Sequence, residues 1–380
     1  MKPAVQYVAA HLKDMNRREI FGLFREKRVL SRTQARDLSA ISMPTQLKIF
    51  SFLQERGIIR HAGQAEAPLG RRAQLFEFDP DSLLAIGVEL EGDLARAALM
   101  NLDGDIKAME QSTLGGSFEE TLLHRLPELA GRLLLSARGS PQSRLVGLGI
   151  AIPGVVNNAA RTISHSTHLN IHRQADYTAL FHRLEQAIRL PVLMANDVNA
   201  AAFGESRGPD SPEDLLFVLY TGEGLGAGLV LDGKPRLGPR MFAGEIGFIT
   251  YDAHFDAQAS QTGWFEDQLS APLLKKRWHF SPHGMEALSD EQLGPMLEHI
   301  TDLLALCVTN LAIQLDIPRV VVGGAVPQRL GEPFYRMLGS KVDRLNKNRT
   351  LIQPPSGPHP LMVGIGQMVF EEQMPTFLAD

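Results

Sequence analysis

Apolar residues in the first 78 positions recur at the 3.6-residue period of α-helices. Stripes of this kind lie in residues 16–26, 31–38 and 45–57. Pro44 suits the first turn of the third helix, because its missing amide hydrogen would be unpaired there. Two apolar runs follow, at 57–61 and 70–78, on either side of a loop rich in Gly, Ala and Pro. The pattern predicts three helices and then a β-hairpin.

In the third helix, the pattern turns three apolar side chains inward and leaves four residues near the exposed start. The inward set is Leu47, Phe50 and Leu53, and the exposed set is Thr45, Gln46, Lys48 and Ile49. Two helices, a tight turn and a third helix with polar residues at its start are typical of a helix-turn-helix. With the hairpin as its wing, we predict a winged helix-turn-helix domain over residues 1–78.

Beyond residue 79, apolar runs of strand length alternate with helical stretches, which predicts an α/β fold. Strands are predicted within 84–105 and at 145–154, 190–193, 215–220, 229–231 and 319–325, and helices at 118–137, from Asp197 onward and at 294–315. Glycine-rich turns recur at matching places, so we expect two similar lobes around a cleft. The first lobe comprises 79–195 with 365–380, and the second, with the ligand cleft and a dimerisation surface, comprises 196–364.

Length and composition indicate a globular chain of more than one domain. The 380 residues are 44% hydrophobic, which is enough to bury large cores. No apolar run approaches the about 18 residues of a membrane span, and the N-terminus lacks the apolar segment of a secretion signal. We therefore expect a cytoplasmic protein with no membrane partner. The single cysteine, Cys307, is interpreted as a small core residue and excludes a disulfide within the chain.

Charge is distributed unevenly. The first 78 residues carry 14 Lys+Arg against 7 Asp+Glu, whereas the whole chain has a net charge of −5. A basic head on an acidic body indicates that the head binds a polyanion. Candidate DNA contacts are Arg32, Ser42, Thr45, Gln46 and Lys48, with Arg71 and Arg72 in the wing. The alternative is a helical protein-interaction module with a solvated basic face.

The candidate functional residues of the body include Asn196 and Asp197. They follow the buried strand that begins at Leu190 and precede an Ala-rich helix. A carboxylate at the carboxyl end of such a strand faces the crevice where open α/β sheets bind ligands. The alternative is that one of the two residues only caps the helix.

Five motifs together resemble the ROK family, named for repressors, open reading frames and kinases. They are IPG at 152–154, NDVNAAAFGE at 196–205, TGEGLGAG at 221–228, AGEIG at 243–247 and VVVGGAV at 320–326. The resemblance implies an actin-like (ribonuclease H-like) sugar-kinase fold of two lobes. With the head included, the chain is similar to the family's xylose-type and N-acetylglucosamine-type repressors.

The resemblance also implies a ligand site for a monosaccharide or polyol. Asp197 matches the general base of the family's kinases, but we assign no catalytic residue here. The residues that the resemblance places at the ligand are Gly154, Thr167, Asn196, Asp197, Glu245, Phe248 and Glu266. The alternative is that the acids are solvated loop residues.

The phosphate turn departs from the family pattern. Where the kinases have Asp-x-Gly-Gly-Thr-Lys, this chain has residues 89–94, with Glu91 replacing a glycine, Asp93 the hydroxyl residue and Leu94 the lysine. Glu223 stands where kinases commonly have threonine in the second turn. Carboxylates repel a triphosphate. We therefore predict no ATP cofactor and no enzyme activity.

The zinc segment departs as well. The family has a His after GEIG and then three cysteines, but here the His position is Phe248 and residues 252–266 contain no cysteine. His254 is the sole imidazole in that segment, so we predict no metal site. Phe248 and Trp264 are expected to brace the region by core packing; for Phe248 the alternative is stacking on a sugar.

The sequence as a whole predicts a sugar-responsive transcriptional regulator, a repressor of carbohydrate uptake or catabolism genes. We expect a homodimer or tetramer that binds operator DNA through its winged helices. Two alternatives are an ATP-dependent sugar kinase with an added DNA-binding domain, and a repressor controlled by protein sequestration.

Overall fold

The computed structural model of the chain describes residues 2–379 apart from 66–71, 92–93, 115, 137–142, 167–168, 170, 172, 209–213, 255–261, 285–289 and 348. For residues 2–11, 91 and 290–292 only the backbone is described. The helices are α1 (Lys2–Lys27), α2 (Arg32–Leu38), α3 (Met43–Glu55), α4 (Phe118–Glu120), α5 (Leu126–Ser136), α6 (Thr178–Ile188), α7 (Asp197–Ser206), α8 (Trp264–Leu269), α9 (Ala271–Trp278), α10 (Asp290–Leu315), α11 (Ala325–Leu330), α12 (Glu332–Leu345) and α13 (Pro360–Leu378). A π-helical turn, Thr121–Arg125, joins α4 to α5, and 3₁₀ turns lie at Pro80–Ser82 and Ile246–Phe248.

The strands are β1 (Val29–Ser31), β2 (Ile59–Gln64), β3 (Gln74–Phe78), β4 (Leu83–Glu91), β5 (Leu94–Asn101), β6 (Ile106–Thr113), β7 (Arg144–Ile152), β8 (Val155–Asn157), β9 (Thr162–Ser164), β10 (Ala175–Asp176), β11 (Val192–Asn196), β12 (Leu215–Tyr220), β13 (Leu225–Leu231), β14 (Lys234–Pro235), β15 (Arg319–Gly323) and β16 (Leu351–Gln353).

The head forms the predicted three helices and hairpin. Ser31 caps α2 reciprocally with Gln34: the Ser31 hydroxyl accepts from the Gln34 amide at 3.2 Å, and the Gln34 side chain accepts from the Ser31 amide at 2.8 Å. Strands β1, β3 and β2 form an antiparallel sheet in that order. Phe50 of α3 packs edge-on against Phe24 and Phe76, at 5.2 and 5.1 Å between ring centroids. The wing and the helices therefore share one core.

The predicted inward face of α3 is partly wrong. Leu47 is 46% exposed, whereas Gln46 and Ile49 are buried. The Gln46 amide donates to the Ser39 hydroxyl at 3.1 Å and to the Ile41 carbonyl at 3.2 Å. These bonds hold the turn between α2 and α3 and rotate Gln46 inward, which moves Leu47 to the outer face.

Two five-stranded sheets follow the same plan. The first has the order β11-β7-β4-β5-β6 and the second the order β14-β13-β12-β15-β16. In each, three antiparallel strands are extended by two parallel ones. The expectation of two similar α/β halves is confirmed by this topology.

The glycines at 226 and 228 belong to a strand, although the sequence predicts a turn there. Strand β13 begins at Leu225 and lies under α7. A Cβ at Gly226 would lie 3.1 Å from the Val198 side chain, and one at Gly228 would overlap the Val198 carbonyl oxygen. These glycines let α7 approach the sheet closely.

Helices α7 and α13 connect the two sheets. Helix α13 packs on β4 and β7 of the first sheet, α7 packs on β12 and β13 of the second, and the two helices pack on each other. The far end of α13 reaches the head, where Phe377 and Leu378 share one buried cluster with Phe24 and Phe50. One pair of helices thus contacts both lobes and the head.

Helix α10, in the segment where the sequence predicts a helix at 294–315, is long and apolar enough over Leu293–Leu315 to cross a membrane by length and composition. In this fold it packs against α12 and contributes Ile300, Leu304 and Val308 to the core of the second lobe. Cys307 is buried in the same core, as predicted.

Candidate functional site

The candidate site begins where β11 ends and α7 starts. Asn196 is the N-cap of α7, and its side-chain oxygen accepts from the Asn199 amide at 2.9 Å. Its side-chain nitrogen donates to the Gly154 carbonyl at 2.9 Å and to Asp197 Oδ1 at 3.1 Å. Both amide hydrogens are therefore used within the protein. Capping, given above as the alternative function of this pair, is one role that Asn196 performs.

Asp197 is the first residue of α7. Its Oδ1 accepts from the Val198 amide at 2.8 Å as well as from Asn196. The bonds from these two neighbours fix the carboxylate at the N-terminus of the helix, where the helix dipole is positive. The side chain is half-buried, at the junction of the two lobes.

Two further carboxylates come from the second lobe. Glu245 precedes the 3₁₀ turn Ile246–Phe248, and the Gly244 carbonyl beside it accepts from the Ala227 amide of β13 at 2.8 Å. Glu266 lies in the first turn of α8, and its Oε2 accepts from the Leu225 amide at 3.2 Å. Both residues are thereby tied to β13, Glu266 through its carboxylate and Glu245 through the backbone beside it.

Burial perturbs both glutamates. Desolvation raises the pKa of Glu245 to about 7, and the negative charge of Asp197 adds to this rise. Desolvation likewise raises the pKa of Glu266 to about 7, against the bond from Leu225, with Glu245 as a further cause. Asp197 acts on the pKa of Glu245, and Glu245 acts on the pKa of Glu266, so the charges of these three residues, which we call the acid cluster, are linked in series. Near neutral pH the cluster is able both to accept hydrogen bonds and, when a glutamate is protonated, to donate them.

Of the remaining predicted ligand positions, the structure describes Gly154 and Phe248 but not Thr167. Gly154 adopts a φ of 120°, and a Cβ there would lie 2.8 Å from the Ser166 Cβ, so the position requires glycine. Its carbonyl is occupied by Asn196. Thr167 lies outside the described residues, and its role stays a prediction.

Phe248 does not pack in the core, so that expectation is wrong. Its side chain is 47% exposed, and its ring lies 5.7 Å from that of Phe242, which is 39% exposed. Trp264 instead stacks on Phe265 at 6.5 Å and meets Tyr251 edge-on at 6.1 Å. Phe248 is the last residue of the 3₁₀ turn, and the two residues before it, Ile246 and Gly247, are the buried ones.

The turn that matches the kinase phosphate loop is described only at its edges. Glu91 is described by its backbone alone, and Gly92 and Asp93 lie outside the described residues. Glu89 is buried and forms an ion pair with Arg96 of the adjacent strand at 2.9 Å. In the second turn, the Thr221 hydroxyl accepts from the amides of Glu223 and Gly224 at 3.2 and 3.0 Å. The Thr221 side chain therefore stabilises the turn in which it lies.

Within the part of the chain that the structure describes, no group of three or more His, Cys, Asp or Glu side chains is placed to hold a metal ion. Residues 255–261 of the segment that corresponds to the zinc region lie outside that part. The absence of a metal site stays a prediction.

The candidate DNA contacts divide into exposed and inward residues. Ser42, Lys48 and Arg72 are exposed, and Thr45 is half-buried with its hydroxyl 3.0 Å from that of Ser42. Gln46 is fully buried and holds the turn, so its assignment to base contacts is wrong.

The two remaining arginines of this set differ from Lys48 and Arg72. The Arg32 guanidinium lies over the Phe76 and Phe50 rings at 4.8 and 5.7 Å and packs on the core of the head. Arg71 is outside the described residues.

Two rings near the acid cluster were missed by the sequence analysis. Phe242 contacts Phe248 on one side and His165 on the other, at 6.0 Å between centroids. His165 lies two residues before Thr167, which the family resemblance placed at the ligand. Phe242 precedes AGEIG by one residue, and nothing in the local pattern distinguishes it from a core residue.

Comparison with known proteins identifies relatives of the body. Residues 85–354 match the ROK family. A xylose repressor of Caldicellulosiruptor bescii is 28% identical over 248 residues, 64% of this chain and 61% of that protein. The DNA-binding transcriptional dual regulator NagC of Escherichia coli K12 is 25% identical over 241 residues, 63% of this chain and 58% of that protein. The chain thus spans about three fifths of the length of these relatives.

Solved structures resemble the whole chain. A ROK family transcriptional regulator, homolog of the E. coli MLC protein, has a TM-score of 0.76 at 19% identity and covers 97% of this chain and 98% of its own. A ROK hexokinase from Thermus thermophilus has a TM-score of 0.62 at 21% identity and covers 77% of this chain and 99% of its own. The expected fold, a winged helix-turn-helix head on a two-lobed kinase-like body, is confirmed by these likenesses.

Proposed function

The chain belongs to the ROK family, and on that premise we propose that it is a sugar-responsive transcriptional repressor whose body binds a monosaccharide or polyol without phosphorylating it. The observation that carries the proposal is the joining, in one chain, of a winged helix-turn-helix to a two-lobed body that holds the acid cluster. Similarity to repressors of xylose and N-acetylglucosamine genes supports it. Carbohydrate uptake or catabolism genes are the targets that this similarity suggests.

The acid cluster suits a neutral polyol. Its carboxylates offer several acceptor oxygens, and the raised pKa values of Glu245 and Glu266 add donors at mildly acidic pH. Hydroxyl groups both donate and accept, so they complement such a mixture. A phosphate group would add negative charge to Asp197 and its neighbours and would be disfavoured.

Ligand binding is able to reach the head through two helices. Helix α7 begins at Asp197 and packs against α13. At the other end of α13, Arg17 donates to the Leu378 carbonyl at 2.7 Å and Arg56 to the Ala379 carbonyl at 3.3 Å. A shift of α7 when the cleft closes on a sugar would move α13 and, with it, the helices of the head.

Side chains of the head also bond to α13 and to the first lobe. Arg25 of α1 donates to Gln367 at 3.0 Å and to the Leu102 carbonyl at 3.3 Å, and Gln367 donates to that carbonyl at 3.1 Å. Arg28 pairs with Asp103 at 2.8 Å. The head is therefore fixed to the first lobe by polar contacts as well as by the shared core, which a rigid-body transmission requires.

We assign no phosphoryl transfer to this body. The family includes kinases, and a glucokinase of Halalkalibacterium halodurans is 27% identical over 218 residues. Two features argue against activity here: the substitutions Glu91 and Asp93 in the phosphate turn, and the pairing of Glu89 with Arg96. A coupled ATPase assay with a panel of sugars tests this, and sugar-dependent turnover would contradict it.

We further propose that the chain forms a homodimer or tetramer in the cytoplasm. Two winged helices on a pseudo-palindromic operator give the affinity that a single head lacks, and a change in their spacing would alter it. Control by sequestration through a protein partner is the competing mechanism. Capture of a membrane transport component by the ligand-free chain, together with no response to sugars, would favour that mechanism.

The direct test is a calorimetric titration of the full chain with monosaccharides and polyols, followed by DNA binding with and without the ligand found. The proposal predicts saturable heat with at least one neutral sugar and a change in DNA affinity on its addition. Heat with no member of the panel would contradict the small-ligand mechanism.

A further inference from the structure

Two residues of the acid cluster, Asp197 and Glu245, and three aromatic side chains are connected by a circuit of contacts that a charge effect between the two acids closes. Asp197 bonds to Asn196, and Asn196 to the Gly154 carbonyl, at 3.1 and 2.9 Å. Gly154 packs against Ser166, which is the neighbour of His165 in the chain.

The circuit continues through the rings and returns to the acids. The His165 ring meets Phe242 at 6.0 Å, and Phe242 meets Phe248 at 5.7 Å. The Phe248 amide donates to the Glu245 carbonyl at 3.3 Å, and the charge of Asp197 acts on the Glu245 carboxyl. One half of this circuit is polar and the other half is aromatic. We call His165, Phe242 and Phe248 the aromatic rim.

The rim is held in place by its backbone. His165 has a φ of 52°, and Met241, immediately before Phe242, has a φ of 57°, a region that non-glycine residues rarely adopt. Ser166 exchanges two backbone hydrogen bonds with Ile171, at 2.9 and 2.8 Å, which fixes the loop that carries His165. Unusual backbone held by such bonds is characteristic of binding sites.

The rim is also exposed on both sides of the cleft. His165 comes from the first lobe and the two phenylalanines from the second, and all three side chains are exposed. The Phe242 and Phe248 planes are tilted by 36°, so they make a nearly continuous apolar surface rather than an edge-on core contact. A pyranose has one apolar face, which one ring covers. A second phenyl ring and an imidazole from the opposite lobe therefore provide more apolar surface than an unsubstituted sugar needs.

We propose that the ligand of this cleft is a glycoside that bears a flat, apolar substituent, with its hydroxyls on the acid cluster and its substituent stacked on Phe242 and Phe248. The inference rests on the proposed function, since it places the sugar in the same site. The position of the rings at the edge of the circuit requires the substituent to project outward from the sugar. The contact of His165 with Phe242 would then close over it from the first lobe.

The test uses matched pairs of probes on the full chain. Methyl and phenyl glycosides of glucose, galactose, xylose and N-acetylglucosamine, in both anomers, are titrated by calorimetry. For the sugar that binds, we expect the phenyl glycoside to bind about tenfold more tightly than the methyl glycoside, because stacking adds to the buried apolar area. Phe248→Ala and Phe242→Ala should each remove this advantage, so that the phenyl and methyl glycosides bind each variant within about twofold of one another.

Leu237→Ala is the control, because Leu237 is an exposed apolar residue of the same segment that lies outside the circuit. It should retain the full phenyl advantage. Equal affinity for methyl and phenyl members would overturn the inference and leave the proposed function standing. A phenyl advantage that survives both phenylalanine variants would also overturn it. Binding of neither member of any pair would contradict the proposed function together with the inference.

Discussion

Gly364 of α13 and Ala200 of α7 meet backbone to backbone, so that a Cβ on Gly364 would overlap the Ala200 carbonyl oxygen. A Cβ on Gly204 of α7 would in turn lie 2.8 Å from the Gly364 Cα. The two helices approach this closely because Gly364 of α13 and Gly204 of α7 carry no side chain at the crossing. The contact joins the helix that begins at Asp197 to the helix that ends under the head.

The first prediction concerns this crossing. Gly364→Ala should lower the free energy of unfolding by about 2–3 kcal/mol, because the methyl group meets backbone that cannot rotate away. Gly339→Ala is the matched control: Gly339 lies in α12 with nothing within 4 Å of its Cβ position, and alanine there should raise stability by about 0.5–1 kcal/mol. Urea denaturation measures both. Equal midpoints for Gly364→Ala and the wild type would refute the close contact.

The second prediction is a pH dependence. The pKa of Glu245 and of Glu266 rises from 4.5 to about 7 on folding, chiefly through desolvation. A carboxyl whose pKa is higher in the folded than in the unfolded chain binds a proton more tightly when folded. Its contribution to stability is therefore greatest below about pH 4.5 and is lost as the pH rises toward 7.

The double variant Glu245→Gln and Glu266→Gln should remove most of this dependence. Between pH 5 and pH 8 the wild type should lose on the order of 2 kcal/mol more of its free energy of unfolding than the double variant, as measured by thermal unfolding. This value is reduced for the partial exposure of the two carboxyl groups. Glu223→Gln, at an exposed position in the neighbouring turn, is the control and should follow the wild type. Parallel curves for the double variant and the wild type would show that the two carboxyls are not desolvated.

The third prediction addresses the DNA-binding face. Lys48→Ala and Arg72→Ala should each reduce the slope of log affinity against log salt by about 1, since each removes one phosphate contact. Lys234→Ala removes an exposed positive charge from the second lobe and should leave the slope unchanged. Fluorescence anisotropy with a duplex selected from a random pool provides the measurement. A slope that changes only in Lys234→Ala would place the DNA elsewhere.

Gln46 gives a separate, fourth prediction. Gln46→Ala should act on stability, because its loss removes the bonds to Ser39 and Ile41 that hold the turn before α3. We expect a loss of about 1–3 kcal/mol in the free energy of unfolding. Gln64→Ala, at an exposed position in β2, serves as the control. An unchanged stability with a changed base preference would restore Gln46 to the base-reading set.

Much of the fold was predictable because it depends on local signals. The capping pair Ser31 and Gln34 and the apolar run of β12 act within a few residues, so pattern alone places them. The outward turn of Leu47 depends on bonds from Gln46 to a turn five to seven residues away, and no hydropathy pattern contains them. Similarly, Gly226 and Gly228 have the appearance of a turn, and only the approach of α7 shows why a strand needs them.

The candidate site was predictable in its acids and not in its rings. The family resemblance identifies Asp197, Glu245 and Glu266, and in the structure the charge of Asp197 acts on Glu245 and that of Glu245 on Glu266. Phe248 was expected in the core because an aromatic residue among apolar neighbours usually packs there. Its side chain is instead exposed beside Phe242, an arrangement that one sequence does not reveal.

The measurement that tests the central claim most directly compares wild type and Asp197→Asn in DNA binding, with and without the sugar that gives the largest heat in calorimetry. The claim is that Asp197 recognises the ligand and that α7 and α13 transmit its binding to the head. The account predicts that folded Asp197→Asn binds the selected duplex as tightly as wild type, whereas the sugar changes the affinity of wild type and not that of the variant. Loss of DNA binding by the folded variant, or a sugar response equal to that of wild type, would contradict it.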